Sequence, residues 1–491
     1  MFSSFLYGDV VSSYSVSSTF LLILGLAGLL MSTLYWKSAN AKQKHHSKLP
    51  PVAPRGMLHT IQAMNKNAPF FLRDMVKETG SDIIRLRLPI PGGAYAVGNP
   101  AAMRTILTDN TTDKPREMYA AFDNVTGGKS MFTRANTKEW KSARKCLSYS
   151  FSSSEVNRMN HICTDQVNSW IQDRLEPCIE KNEAFDPSAE MTHLTFNIIL
   201  EAGFEHPKIS DEEYHSFIHH LEVCLREFAG RHNGNPVRKY YGFLLSEFRE
   251  AKRSCEVVTA FSAKILEAYR KNPNKSKNKT IIRMIVENKD YKSDKERMSD
   301  IMTMVIAGHE TTGFTLGTTL VLLGKHPKVA EKLRHELSSM GESKRSSRSG
   351  YFHNVVRESK RIVPVAALGS IRITGRDLSF KNGSIVIPKG ATCFVPMILP
   401  HHHEETFKDP ENFRPERWEK EDDKMRAALM SFSLGNRDCI GQSLAVAEIY
   451  SVLPRLLTDY KFEVEEEGNL EHFLTLKYVG ARLKPIKIGC S

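Results

Sequence analysis

The sequence predicts a mainly α-helical body with small β-sheets, a single large α+β unit preceded by one N-terminal transmembrane helix. Three observations predict it. Residues 19–36 (TFLLILGLAGLLMSTLYW) form an uncharged apolar run. From about 136 to 330 the pattern is mostly helical, with polar caps opening apolar periodic stretches. Short alternating runs bounded by Pro and Gly lie on either side of that region.

The elements follow in chain order. Eighteen helical residues at ~1.5 Å each reach about 27 Å, enough for a bilayer core. Tyr35 and Trp36 close the run, where amphipathic rings favour the headgroup level. Lys37, Lys42, Lys44 and Lys48 follow, against only Asp9 before it, so the positive-inside tendency places the body in the cytosol and the N-terminus in the lumen. A cleaved signal peptide would carry Lys or Arg ahead of the run, and none is present. The division is therefore residues 1–36 as luminal N-terminus and anchor, 37–56 as a basic, proline-rich linker, and 57–491 as the body. Pro50, Pro51 and Pro54 stiffen the linker by fixing φ. Residues 82–98 read as a hairpin around Pro91-Gly92-Gly93, and Asn99-Pro100 as a capped helix start. Ser153 and Asp211 read as later caps. Residues 270–279 and 341–350 read as basic solvated loops, 383–390 as a strand and turn, and 474–483 as a C-terminal β-segment. No internal repeat is visible.

Composition narrows the function classes. The chain has 491 residues, 41% hydrophobic and 25% charged, which excludes disordered, collagenous and low-complexity chains. Eight cysteines without a Cys-x-x-Cys pair make neither a disulfide scaffold nor a zinc or thioredoxin motif. A mean hydropathy of −0.35 excludes a polytopic membrane protein. The net charge is +12, but Lys and Arg are spread along the chain, so no nucleic-acid arm is predicted. An anionic lipid surface or an acidic protein partner fits a diffuse excess.

The most informative stretch is Phe432-Ser433-Leu434-Gly435-Asn436-Arg437-Asp438-Cys439-Ile440-Gly441. Gly435 permits a tight turn, and Cys439 leads into an apolar helix. A thiol at a helix N-terminus is expected to have a lowered pKa and to bind metal. Arg437 stands ready for an anionic group.

This stretch resembles the haem-binding loop of the cytochrome P-450 superfamily, and other landmarks of that family occur in order from about residue 49 onward. Ala307-Gly308-His309-Glu310-Thr311-Thr312 resembles its distal helix. Glu358-x-x-Arg361 with Arg417 resembles its buried Glu-Arg-Arg network, and Trp140-x-x-x-Arg144 its propionate-binding pair. The resemblance implies the cytochrome P-450 fold and haem b with Cys439 as the iron ligand. Phe432, Gly441, Trp140, Arg144, Arg372 and Arg437 would hold the cofactor. Glu310 and Thr311 would deliver protons to bound dioxygen. A mid-helix Thr bonding the carbonyl of Ala307, with Gly308 removing bulk, would open a groove for that dioxygen. His309 reads as a satisfied helix histidine.

The activity implied is a membrane-anchored haem-thiolate monooxygenase of the endoplasmic reticulum, with a plastid envelope as the other site. It would insert one oxygen atom from O2 into an apolar substrate: a sterol, fatty acid, isoprenoid or xenobiotic. Electrons would come from NADPH through NADPH–cytochrome P-450 reductase, with cytochrome b5 as a further donor, docking on Lys138, Lys141 and Lys145. The implied substrate pocket takes in residues 122–132, 217–243, Val305, Ile306, 365–368 and Leu476. A haem-thiolate isomerase or dehydratase, and a non-catalytic haem protein, share the cysteine loop and stay open. The sequence departs from the family pattern in a short 337–357 segment, in lacking a double proline after Arg361, and at Pro454, which is expected to kink or end its helix.

Overall fold

The computed structural model describes residues 48–231, 236–273, 277–341 and 348–489. The fold is organised around one long helix, α8 in the numbering below. Its neighbours in chain order are α1 (Met57–Thr79), β1 (Ile83–Leu86), β2 (Ala94–Val97), α2 (Pro100–Thr108) and α3 (Lys138–Ser148). Then come α4 (Ser153–Trp170), α5 (Pro187–Phe204), α6 (Asp211–Leu225), α7 (Ser246–Lys271), α8 (Asp294–Lys325) and α9 (Gly350–Ile362). The strands β3 (Ser370–Ile373), β4 (Leu378–Phe380), β5 (Ile385–Ile387) and β6 (Thr392–Val395) precede α10 (Gln442–Asp459), and β7 to β10 fill residues 460–487. Shorter helices join these.

The 32 residues of α8 are capped by Ser293, whose hydroxyl accepts from the Glu296 N–H, with Asp294 and Glu296 in the first turn and Lys325 in the last. Those charges complement the helix dipole. Apolar on nearly every side, α8 is buried along most of its length. It lies against α5 through glycines. A Cβ on Gly313 would stand 2.6 Å from Thr192 Cα, and one on Gly317 2.7 Å from the Pro187 carbonyl oxygen. Replacing either would push the two helices apart.

The largest sheet runs β1-β2-β6-β3, with β2 parallel to β6 and the other pairs antiparallel. The hairpin at 82–98 and the Asn99 cap form as the sequence predicts, Asn99 Oδ1 accepting from the N–H groups of Ala101 and Ala102. The other two caps lie one residue earlier, at Ser152 and Ser210. Helix α7 runs on to Lys271, so Arg270 is helical rather than in a loop.

Four expectations need correction or restriction. The proline-rich segment is no free linker: Ala53 N–H donates to Arg85 O at 2.9 Å and Arg85 N–H to Pro51 O at 2.8 Å. Those bonds add residues 51–53 to the edge of β1, so the body starts before residue 57. Pro454 does not end its helix, since α10 continues through it to Asp459. Its lost donor is offset by burial of Leu453, Leu456 and Leu457 in the main core. No helix among the described residues is long and apolar enough to cross a membrane, and the anchor predicted at 19–36 lies outside the described residues. The core of the predicted 341–350 loop, residues 342–347, also lies outside them.

Candidate active site

Helix α8 and the loop before α10 face each other across a cavity of about 350 Å³. Cys439 stands on one wall with Phe432, Ile440 and Gly441, and Ala307, Gly308 and Thr311 stand on the other. Pro364, Val365 and Ala366 close a third side.

The cysteine loop is held by its own backbone. Cys439 N–H donates to Phe432 O at 2.9 Å, and Asp438 N–H to Gly435 O at 3.1 Å. Gly435 has φ +74°, and a Cβ there would meet Leu107 O at 2.4 Å, so both conformation and contact require glycine. Cys439 opens toward the cavity, yet protein surrounds it on its other sides. Burial pushes its thiol pKa up. The Gly441 N–H opposes this, Asp438 adds to it and Arg144 opposes it. The lowered thiol expected from a helix N-terminus is therefore not found: α10 begins only at Gln442, and desolvation outweighs the backbone donors.

One end of the cavity is cationic. Lys114, Arg144, Arg372 and Arg437 all line it. Arg437 is stacked on Trp140 at 3.4 Å from the ring centre and donates to Asn136 Oδ1, Met131 O and Arg134 O. Arg372 is pinned by the β3–β6 ladder opposite Cys393, and its Nη2 is buried without a hydrogen-bond partner. Burial, then repulsion from Arg372 and Arg437, pushes Lys114 well below the usual lysine range. Burial, opposed by Asp113 and reinforced by Arg372 and Arg144, lowers Arg437 to about 10. Such a cluster favours an anionic guest. Two predicted contacts are already engaged within the protein: Trp140 Nε1–H donates to Met131 O at 3.0 Å, and Arg144 pairs with Asp438.

On the opposite wall, Thr311 Oγ1 donates to Ala307 O at 2.9 Å. Gly308 makes room for α5, because a Cβ there would meet Ile199 Cγ1 at 2.8 Å. Glu310, one residue round the helix, lies behind the wall rather than in it, and burial, partly offset by Lys477, raises its pKa to about 7. His309 points away toward Phe196, its Nδ1 on Val305 O at 2.7 Å, and burial holds its pKa near 4. It packs. Of the other predicted pocket segments, Met131, Phe132, Val365 and Ala366 line the cavity, whereas the described residues of 217–243, Val305, Ile306 and Leu476 do not.

Behind the loop sits a buried ion network. Glu358 accepts from Arg361 Nε and Nη2, Arg417 Nε, Trp418 Nε1 and the Arg414 N–H, each at 2.9 Å. The remaining guanidinium donors hold His401 O, Pro410 O and Lys408 O. His401 Nε2 in turn accepts from Met430 N–H, two residues before Phe432. The network thus fixes the path of the chain into the cysteine loop.

Sequence reasoning missed Lys114 and Glu448. No motif marks Lys114, which joins the other cations only through tertiary folding. Glu448, on α10, lines the cavity with both carboxyl oxygens buried and unpaired. Burial raises it to about 8, the Thr312 hydroxyl beside it offsetting this only in part. Its folded pKa lies above its unfolded value, so the native state holds a proton that the unfolded chain releases, and stability falls as pH rises from about 4.5 to about 8. Each pH unit there costs about 1.4 kcal/mol. Glu448→Gln should therefore gain about 4 kcal/mol on wild type between pH 5 and pH 8 in denaturant titrations. Parallel profiles for the two proteins would show that Glu448 ionises freely.

A thiol in one apolar wall and a cation cluster with an orphaned Arg372 donor at one end suit a flat, apolar metal macrocycle bearing carboxylates. The residues fit haem, and the site defines a haem-thiolate protein. Comparison with known proteins agrees. The family described as Cytochrome P450 matches residues 50–489. Cytochrome P450 monooxygenase traB of Penicillium crustosum is 28% identical over 70% of this chain and 71% of its own. The bifunctional cytochrome P450/NADPH–P450 reductase 1 of Bacillus subtilis (strain 168) is 25% identical over 88% of this chain and 42% of its own. A crystal structure of a cytochrome P450 (CYP102L1) superposes with a TM-score of 0.73 at 22% identity, covering 86% of this chain and 99% of that one, and shows the shared fold. The chain belongs to the cytochrome P450 family. It is a monooxygenase, and its cofactor is haem ligated by a cysteine thiolate.

Proposed function

We propose that this monooxygenase inserts one oxygen atom from O2 into a C–H bond of an apolar substrate, with electrons from NADPH delivered by a separate reductase. The observation that carries it is the placement of Cys439 and Thr311 on facing walls of one largely apolar cavity. When bound there, haem supplies the activation of dioxygen. Cys439 would be its thiolate ligand, with Phe432 and Gly441 shaping the loop around the sulfur. Arg372, Arg437 and Lys114 would hold its carboxylates, with Arg144 closing that end through Asp438 and Trp140 holding the Arg437 plane.

The chain's own groups then manage protons and water. The Thr311 hydroxyl faces the cavity and is oriented by Ala307 O. Glu310, titrating near 7, can load and release a proton behind it at neutral pH. Phe132, Met304 and Val365 present an apolar surface that excludes water from the reacting bond.

A reductase partner is supported by the Bacillus relative, whose name joins a P450 to an NADPH–P450 reductase. It is supported also by α3, which buries Trp140, Ala143 and Leu147 and exposes Lys138, Lys141 and Lys145. An acidic docking face would be attracted to that row, faster at low salt. The apolar run at 19–36 supports a single-pass anchor in the endoplasmic reticulum, with the catalytic body in the cytosol.

The test is turnover with NADPH, O2 and reductase on compounds first selected by a spin-state shift of the haem absorption. Product that requires reductase supports the reading, whereas product formed from a peroxide substrate without reductase would make the protein an isomerase or dehydratase. Thr311→Ala should keep consuming NADPH while product per NADPH falls by about an order of magnitude and peroxide rises. Unchanged coupling would remove Thr311 from the proton path.

A further inference from the structure

We propose that Cys224 and Cys255 form a disulfide that ties α6 to α7 in response to hydrogen peroxide. The two sulfurs lie 3.2 Å apart across the helix pair, the Cys255 thiol donating to Cys224. A disulfide needs an S–S distance of about 2.05 Å, so the two sulfurs have roughly 1 Å left to close. Both residues are buried, at 0% and 6% exposure, so no bulky thiol or disulfide reagent reaches them directly. Hydrogen peroxide is close to water in size. Cys224 sits in the last turn of α6, where the helix widens into a π-helical segment at Arg226–Arg231. An oxidant of that size needs only a small local opening of the helix end to reach the pair.

The hydrogen bond from Cys255, with burial, pushes the Cys224 thiol well up, so oxidation at that sulfur is slow. One sulfur takes an oxygen from peroxide to give a sulfenic acid, releasing the first water. The second sulfur then attacks it, forming the S–S bond and releasing the oxygen as a second water. Overall, two thiols and one hydrogen peroxide give one disulfide and two waters, the sulfurs losing the two electrons that peroxide gains. A monooxygenase supplies this oxidant itself whenever reduced oxygen escapes without product. The site itself rests only on the two thiols, and added peroxide tests it without turnover.

The experiment treats the purified full-length, haem-loaded enzyme with hydrogen peroxide in the absence of NADPH and reductase. Free thiols are then alkylated under denaturing conditions and the peptides mapped by mass spectrometry without reduction. The expected result is one cross-linked peptide pair joining 224 to 255, lighter by two hydrogens, lost on treatment with dithiothreitol. Closing a 31-residue separation should also raise the melting temperature by about 3–6 °C over the reduced form. Cys255→Ser and Cys224→Ala should each lack the cross-link and the thermal gain. Alkylation of both thiols after peroxide, or sulfinic acid at either, would overturn the proposal, and the wild-type map decides it even if a variant fails to fold.

Discussion

Glu358→Ala should yield little folded, haem-loaded protein. The carboxylate receives five hydrogen bonds, from Arg361, Arg417, Trp418 and the Arg414 backbone. The side chains of Glu358 and Arg361 are wholly inaccessible, and that of Arg417 is 3% exposed. Deleting the acid strands two guanidiniums in a low-dielectric interior, at a cost of about 3–5 kcal/mol. That is a large share of a typical folding free energy of ~5–15 kcal/mol. The damage also reaches the site, because Arg361 holds His401 O and His401 holds Met430 at the start of the cysteine loop. Glu358→Gln keeps the shape and some acceptors and should fall between the two. Haem per polypeptide and denaturant midpoint give the readout. Normal haem content and stability in Glu358→Ala would mean that the network does not hold the loop.

Cys439→Ala should behave in the opposite way, folding well and losing activity below detection. The side chain borders the cavity, so its truncation removes little buried packing and should shift stability by less than about 1 kcal/mol. The cation cluster and apolar walls remain, so some haem should still associate, without a thiolate signature. NADPH- and substrate-dependent product should vanish, because the residue that would ligate the haem and tune its oxygen chemistry is gone. Near-normal product formation in this variant would exclude Cys439 as the ligand.

The two variants also separate what local sequence carries from what only the fold brings together. Gly435, Arg437 and Cys439 lie within five residues, and backbone sterics alone make that stretch a tight turn into a helix. The hairpin at 82–98 and the Asn99 cap are legible for the same reason: their hydrogen bonds join near neighbours. Glu358 and Arg417 are 59 residues apart, and a Glu-x-x-Arg pair carries no mark of its distant partner, so only the resemblance pointed there. Lys114 and Glu448 carried no mark at all. Each is an ordinary polar residue in sequence, made unusual by the groups that folding packs around it. Trp140 was legible as a site residue, but its indole N–H goes to Met131 and its ring to Arg437, a choice set by tertiary contacts. Pro454 shows packing overriding a local breaker.

Carbon monoxide binding to the reduced, purified wild-type enzyme tests the account most directly. Ligation of haem by the Cys439 sulfur would give the red-shifted carbon monoxide band characteristic of thiolate-ligated haem, and that band is the expected result. A band of the imidazole-ligated kind, or a colourless protein, would contradict the assignment of haem iron to this cysteine.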